Sequence, residues 1–221
     1  MQEARLLNRL QQGLDDMDLS VDASQCKQLV AYVLLLDKWN KAFNLSAVRD
    51  PLQMISRHIL DSLSLHSRFV TLQKNENHPL CVLDVGTGPG LPGIPLAICF
   101  PAMKFYLLDS NGKKTRFLFQ SVLSLGLGNV NVENCRIESY QCPDQLDIVV
   151  SRAFSSLADF VSGCEPVCRP TTRLLAMKGV YPVEELSDLP ANWHLVHAER
   201  LDVPGCEGER HIVELMQMQA N

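Results

Sequence analysis

The chain has no apolar run approaching the ~20 residues that a membrane span needs, no C-x-x-C pair, no repeat, no low-complexity tract and no excess of positive charge. Each absence excludes something. Without a long apolar run, and with the polar start Met1-Gln2-Glu3-Ala4-Arg5 in place of a signal-peptide core, the expectation is a soluble cytoplasmic protein with no membrane partner. The eight cysteines include just one suggestive spacing, Cys164 and Cys168 at i,i+4. With no second Cys/His pair at zinc-like spacing, the expectation is no metal and reduced thiols, with Cys81, Cys99 and Cys164 acting as small hydrophobes. A net charge of −5 argues against a general nucleic-acid binder while leaving room for a local basic face. What is present is core: 46% hydrophobic residues in a chain of 221, enough to exclude disorder.

Two helices are expected at 1–15 and 22–42, the second with an apolar stripe of Leu29, Val30, Val33 and Leu34. Asp50-Pro51 opens a third, with Asp50 as N-cap and Pro51 at the first helical position, and Ile55, Ile59, Leu60 and Leu63 on one side. A polar stretch from Gln73 to Pro79 then resets the pattern. Residues 1–75 are expected to be a helical extension packed on a core domain, 76–221, the two forming one structural unit.

Beyond it, strands near 81–85, 104–108, 130–133, 146–150 and 173–177 alternate with helices near 93–100, 112–125 and 154–164, Gly126 stopping the middle one. That alternation predicts an α/β fold with a mostly parallel sheet covered by helices. His194–Leu201 and His211–Met216, joined around Pro204-Gly205, leave no room for a crossover helix and must pair antiparallel as a C-terminal hairpin.

The chemistry concentrates at 81–93. The strand Cys81-Val82-Leu83 runs into Asp84 and then Gly86, Gly88 and Gly90, and a second apolar run, Phe105–Leu108, ends in Asp109. A glycine loop after one strand and a carboxylate after the next is the layout of a nucleotide-binding βαβ unit, and it predicts an adenosine-type cofactor. The literal G-x-G-x-x-G of Gly88–Gly93 taken alone points to NAD. Against NAD stand the earlier glycine, the stiffening Pro89 and Pro92, and a hairpin where a second βαβ half would be.

Asp-x-Gly-x-Gly-x-Gly with a C-terminal antiparallel strand resembles the class I S-adenosylmethionine-dependent methyltransferases, whose fold is Rossmann-like. The resemblance narrows with Trp39-Asn40-Lys41, Asn44-Leu45, Arg57–Ser62, Val85–Pro95, Asp109-Ser110, Lys113-Lys114, Ser151-Arg152-Ala153 and Met177-Lys178-Gly179, in this order. Together they resemble the bacterial small-subunit (16S) ribosomal RNA guanine-N7 methyltransferases, also called glucose-inhibited division protein B, from about residue 25 to 215. The resemblance implies S-adenosylmethionine as cofactor, 16S RNA within the small ribosomal subunit as partner, and a monomer.

For the cofactor it implies Gly86, Leu91, Asp109, Ser110, Asn111, Ile137, Glu138 and Arg152. Asp109 stands out, because a carboxylate at a strand's C-terminal end can accept both ribose hydroxyls. Leu91 reads equally well as packing, and Ile137 and Glu138 as an ordinary apolar residue and an exposed acid. Arg152 follows a strand at the ligand-binding edge of an α/β sheet. For RNA, the candidates are Lys113, Lys114 and Arg116, which oppose the macrodipole at a helix start, with Lys178, Arg57 and His58. For the helix charges the ordinary reading is a solvated face, and for His58 a satisfied structural histidine.

No catalytic residue is assigned. Guanine N7 carries an in-plane lone pair and no proton, so alignment rather than a general base should dominate. The chain also lacks the Asn/Asp-Pro-Pro-Tyr/Phe motif that serves exocyclic amines and the Pro-Cys or Thr-Cys nucleophile that serves cytosine C5. Three alternatives stay open at this point: a methyltransferase of the same fold acting on protein or a small molecule, an NAD-dependent oxidoreductase, and a non-catalytic cofactor-binding scaffold.

Overall fold

In the computed structural model, described over residues 1–152 and 154–218, seven strands form one sheet in the order β3-β2-β1-β4-β5-β7-β6. They are β1 (Cys81–Val85), β2 (Lys104–Leu108), β3 (Val130–Glu133), β4 (Ile148–Ser151), β5 (Arg173–Lys178), β6 (Trp193–Arg200) and β7 (His211–Gln217). Strands β1 to β5 pair in parallel. The hairpin forms as its short connection requires, and β7 inserts between β5 and β6, antiparallel to both. The order of strands reverses between β1 and β4, the place where open α/β sheets bind ligands.

The central strands are buried on both faces, so they read as continuous apolar runs, and the period-2 pleat divides their side chains. Val82, Phe105, Leu107, Ile148, Val150, Leu175 and Met177 face one core, whereas Leu83, Val85, Tyr106, Leu108, Val149, Leu174 and Val213 face the other. The first core is closed by α1 (Gln2–Asp16), α2 (Ala23–Phe43), the helical run from Pro51, α5 (His66–Lys74), α6 (Gly93–Cys99) and α7 (Gly112–Leu125). The second is closed by α8 (Leu157–Cys164) with flanking turns. Leu6, Leu29, Tyr32 and Phe69 of the N-terminal helices thus share one hydrophobic core with the sheet.

Local chemistry sets the element ends. Asp22 and Gln25 form a reciprocal capping box at the start of α2. Asp50 accepts from the Leu52 amide at 3.1 Å, and Gly126 caps α7 in the left-handed conformation at φ 65°. Three elements depart from the sequence reading by more than a single residue at an end. Helix α8 begins at Leu157, because the Ser156 side chain, as N-cap, accepts from Asp159 N. Strand β4 starts at Ile148, since the Leu146 carbonyl accepts from the Thr172 hydroxyl and Arg169 instead of joining a ladder. The helix from Asp50-Pro51 runs as α3 (Pro51–Met54), a π-helical turn (Ile55–Leu60) and α4 (Asp61–Leu63). A short helix, α9 (Val183–Ser187), also lies between β5 and β6.

Candidate active site

Two cavities open along the carboxyl edge of the sheet, one on each side of the point where strand order reverses. The first, about 320 Å³, lies over the ends of β1 and β2 and is lined by Gly86, Asp109, Ser110, Lys114, Ile137, Glu138 and Phe154, among others. The second, about 470 Å³, lies over β4 and β5 and is lined by Arg57, His58, Asp61, Arg152, Lys178 and Arg210, among others. Arg152 faces one cavity and Phe154, two residues on, faces the other.

The first cavity rests on two carboxylates. Asp84, fully buried at the end of β1, accepts from the Thr87 hydroxyl at 2.6 Å and the Gly93 amide at 2.7 Å, both on Oδ2. Those bonds tie the glycine loop to the strand. A Cβ at Gly93 would meet the Leu107 side chain and lie 2.7 Å from Asp84 Oδ2, so only glycine admits this contact. Burial pushes the Asp84 carboxyl up to about 6, against the opposing effect of those two hydrogen bonds. Its Oδ1 is buried with no hydrogen-bond partner among the described residues. The loop is also propped from below: the buried Tyr32 hydroxyl of α2 donates to the Pro89 carbonyl at 2.8 Å.

Asp109, at the end of β2, accepts from Asn111 N on Oδ1 at 2.8 Å and from Gly88 N on Oδ2 at 2.9 Å, with the Lys114 ammonium 3.4 Å away. A carboxylate oxygen has about two acceptor sites, so Oδ1, with one donor, keeps capacity for a further hydrogen bond. Ion pairing with Asp109 also accounts for a lysine near a helix N-terminus, where the macrodipole alone disfavours it.

The second cavity is cationic. Asp61, at 3% exposure, accepts from Arg152 at 2.9 Å and from Arg210 at 3.0 Å, holding two guanidinium groups at one wall. His58 Nδ1 lies 2.9 Å from the Arg57 carbonyl and Nε2 2.7 Å from Ser46 Oγ. A carbonyl only accepts, so Nδ1 carries the proton and the Ser46 hydroxyl donates to Nε2. Burial, then the Arg152 charge, push the His58 imidazole down to about 4. Lys178 donates to Glu185 of α9 at 2.7 Å.

The structure therefore gathers Gly86, Asp109, Ser110, Ile137 and Glu138 in one cavity, with Lys114 beside them. Leu91 is instead packed in the core, and the Asn111 side chain caps α7 by accepting from Lys113 N at 2.9 Å. Arg152 joins Arg57, His58 and Lys178 in the second cavity. Lys113 and Arg116 are exposed on α7 and line neither cavity. Ala153, part of the Ser151-Arg152-Ala153 motif, lies outside the described residues. Sequence reasoning missed Asp61 and Arg210 as lining groups. Asp61 sat inside the Arg57–Ser62 motif, four residues from Arg57, whereas Arg210 lies in the hairpin connection with no local signal.

The first cavity suits an adenosine cofactor by the chemistry of its lining. It pairs an acceptor carboxylate at a strand end with the apolar walls of Ile137 and Phe154, and it includes Val85 and Gly86, next in sequence to Asp84 with its unpartnered buried oxygen.

Comparison with known proteins places this geometry. Several solved methyltransferases share the fold: a SAM-dependent methyltransferase from Aquifex aeolicus is 22% identical, with a TM-score of 0.53 over 76% of this chain and 99% of its own. TrmN from Thermus thermophilus is 19% identical, with a TM-score of 0.55 over 74% of this chain and 53% of its own. At these identities the likeness establishes the fold. Closer in sequence, the ribosomal RNA small subunit methyltransferase G of Pseudomonas aeruginosa (strain LESB58) is 49% identical over 208 residues, 94% of each chain. That of Nitrosococcus oceani is 46% identical over 213 residues, 96% of each. The model of the family described as rRNA small subunit methyltransferase G matches residues 25–213, and the chain belongs to that family.

Proposed function

We propose that this protein transfers the methyl group of S-adenosylmethionine to N7 of a guanine in the 16S RNA of the small ribosomal subunit, acting as a cytoplasmic monomer. The observation that carries this reading is the pair of cavities at one sheet edge, one suited to an adenosine and the other cationic. When bound, the cofactor supplies an electrophilic methyl group on a sulfonium.

Asp109, with Ser110 beside it, would hold the ribose, and Ile137 and Phe154 would sandwich or flank the adenine. Asp84, beneath the glycine loop, places negative charge where a cationic ligand is drawn. Across the switch point, Arg57, Arg152 and Arg210 would take RNA phosphates and orient the base, so that its N7 lone pair lies in line with the methyl group. The bound cofactor would supply its methyl group to N7, the carbon–sulfur bond breaking as the nitrogen–carbon bond forms; because N7 carries no proton, no residue of this chain would have to accept one.

In the second cavity the buried carboxylate, Asp61, is committed to two arginines and both ring nitrogens of His58 are engaged, which leaves Glu207 of the hairpin connection as the exposed carboxylate of the lining. A target base would have to be unpaired or splayed, because N7 lies in the deep major groove of A-form RNA. The N-terminal helices, in this reading, are part of the catalytic unit, since they supply Tyr32, Arg57, His58 and Asp61.

The test is methyl transfer from labelled S-adenosylmethionine to small subunits isolated from a strain lacking this protein, with bulk protein and naked ribosomal RNA alongside. Label in the small-subunit RNA is expected. Label in protein alone would replace this function with protein methylation.

A further inference from the structure

The connection from β5 to α9 exposes three apolar side chains within four residues: Tyr181 at 38%, Val180 at 73% and Val183 at 67%. Single exposed hydrophobes need no explanation, but a cluster beside a functional cavity does. This one sits at the rim of the cationic cavity. Lys178 and Gly179, just before it in sequence, line that cavity, as does Arg210, just before His211.

The Tyr181 ring is held on one side. It meets the His211 imidazole at 5.7 Å between centroids and 72° between planes, an edge-to-face contact. His211 is itself fixed: it is 8% exposed, pairs in register with Lys178, and places Nδ1 3.1 Å from the Gly179 carbonyl. An aromatic ring anchored to an inner strand, partly open to solvent and carried by the segment that follows the cavity residues Lys178 and Gly179, has the makings of a base-stacking platform beside a cavity that holds Arg57, Arg152 and Arg210. Proteins that grip unpaired nucleic acid combine cations for the backbone with aromatic faces for the bases.

We propose that Tyr181 stacks on an unpaired nucleobase of the RNA substrate, next to the guanine being methylated. This rests on the RNA methyltransferase reading above. It adds a substrate-positioning contact outside the two cavities, with the phosphates flanking that base lying toward the arginines. Val180 and Val183 add exposed apolar surface to the same four-residue stretch.

The test compares Tyr181→Ala, Tyr181→Leu and Tyr181→Phe in the full chain, using small subunits from a strain lacking this protein and calorimetric titration of S-adenosylmethionine. For Tyr181→Ala, the KM for subunits is expected to rise about tenfold, consistent with loss of one base–aromatic stack. The kcat is expected to stay within about twofold, with cofactor affinity unchanged, which also reports an intact fold. Phenylalanine should retain the wild-type KM and leucine should not. An unchanged KM in the alanine variant, or full rescue by leucine, would overturn the stacking role while leaving the function standing. If the wild-type protein itself labels no RNA, the functional reading fails and the stacking proposal with it.

Discussion

Arg152 Nη1 donates to Asp61 Oδ2 at 2.9 Å across 91 residues of sequence, joining the end of β4 to the helical layer that covers the sheet. Asp61 also holds Arg210, from the hairpin connection, at 3.0 Å, so one buried carboxylate sets the position of two cavity cations drawn from different parts of the chain. The π-helical turn that precedes it ends at Leu60, and π-helical turns recur where a helix must aim side chains at a site.

Asp61→Ala should therefore lose more than one ion pair, because two guanidinium groups would be left facing each other. Both arginines are about one-third exposed, so solvent moderates the cost to ~1–3 kcal/mol of stability. Methyl transfer should fall by at least about tenfold at saturating cofactor. Thermal denaturation and single-turnover transfer to small subunits check both parts.

Glu214, which lines neither cavity, is a control. It is fully buried in β7, bound to Arg68 at 2.5 Å and to Arg173 at the start of β5. Glu214→Gln should cost ~2–4 kcal/mol in urea unfolding, since it leaves two cations under-compensated. Its kcat, measured below the melting transition, should match the wild type.

The Asp84 carboxyl, raised by burial from 3.8 to about 6, makes a prediction of definite sign. Between those values the folded chain holds a proton that the unfolded chain releases, so this group's contribution to stability falls as pH rises through that window. Asp84→Asn removes the effect. The stability of the wild type relative to the variant should drop by ~1–3 kcal/mol between pH 4 and pH 7, as measured by urea unfolding without cofactor.

His58 gives the complementary kinetic expectation. With its imidazole pushed down to about 4, it is neutral throughout the working range and has no charge change to contribute near neutrality. The kcat for transfer should be flat within about twofold from pH 7 to 8.5, above the range in which Asp84 titrates. A limb with an apparent pKa of about 7 to 8 in the single-turnover rate would instead identify a titrating base.

Much of this architecture is legible in the residues, and the exceptions have physical causes. Strands β1, β2 and β4 are buried on both faces, so they appear as apolar runs between polar punctuation, and Asp50-Pro51 and Gly126 mark helix ends by their own backbone preferences. The glycine loop and Asp109 are legible because their placement is local to a strand end. Arg152 lies at the sheet edge that the sequence predicts, yet it lines the second cavity. Its direction depends on Asp61, a tertiary partner that no local pattern reveals. Leu91 belongs to the core, where burial of a leucine outweighs its place in the motif. Helix α9 and Arg210 escaped notice for a related reason: one is five residues long, and the other acquires meaning only when the hairpin folds back beside β5.

The most direct measurement is mass spectrometry of nucleosides from small-subunit RNA methylated in vitro by this protein, resolved against standards for each methylguanosine isomer. Methyl transfer without a base at an in-plane lone pair predicts 7-methylguanosine as the product. Methylation at an exocyclic amine, a ring carbon or a ribose hydroxyl, each of which must shed a proton, would contradict it.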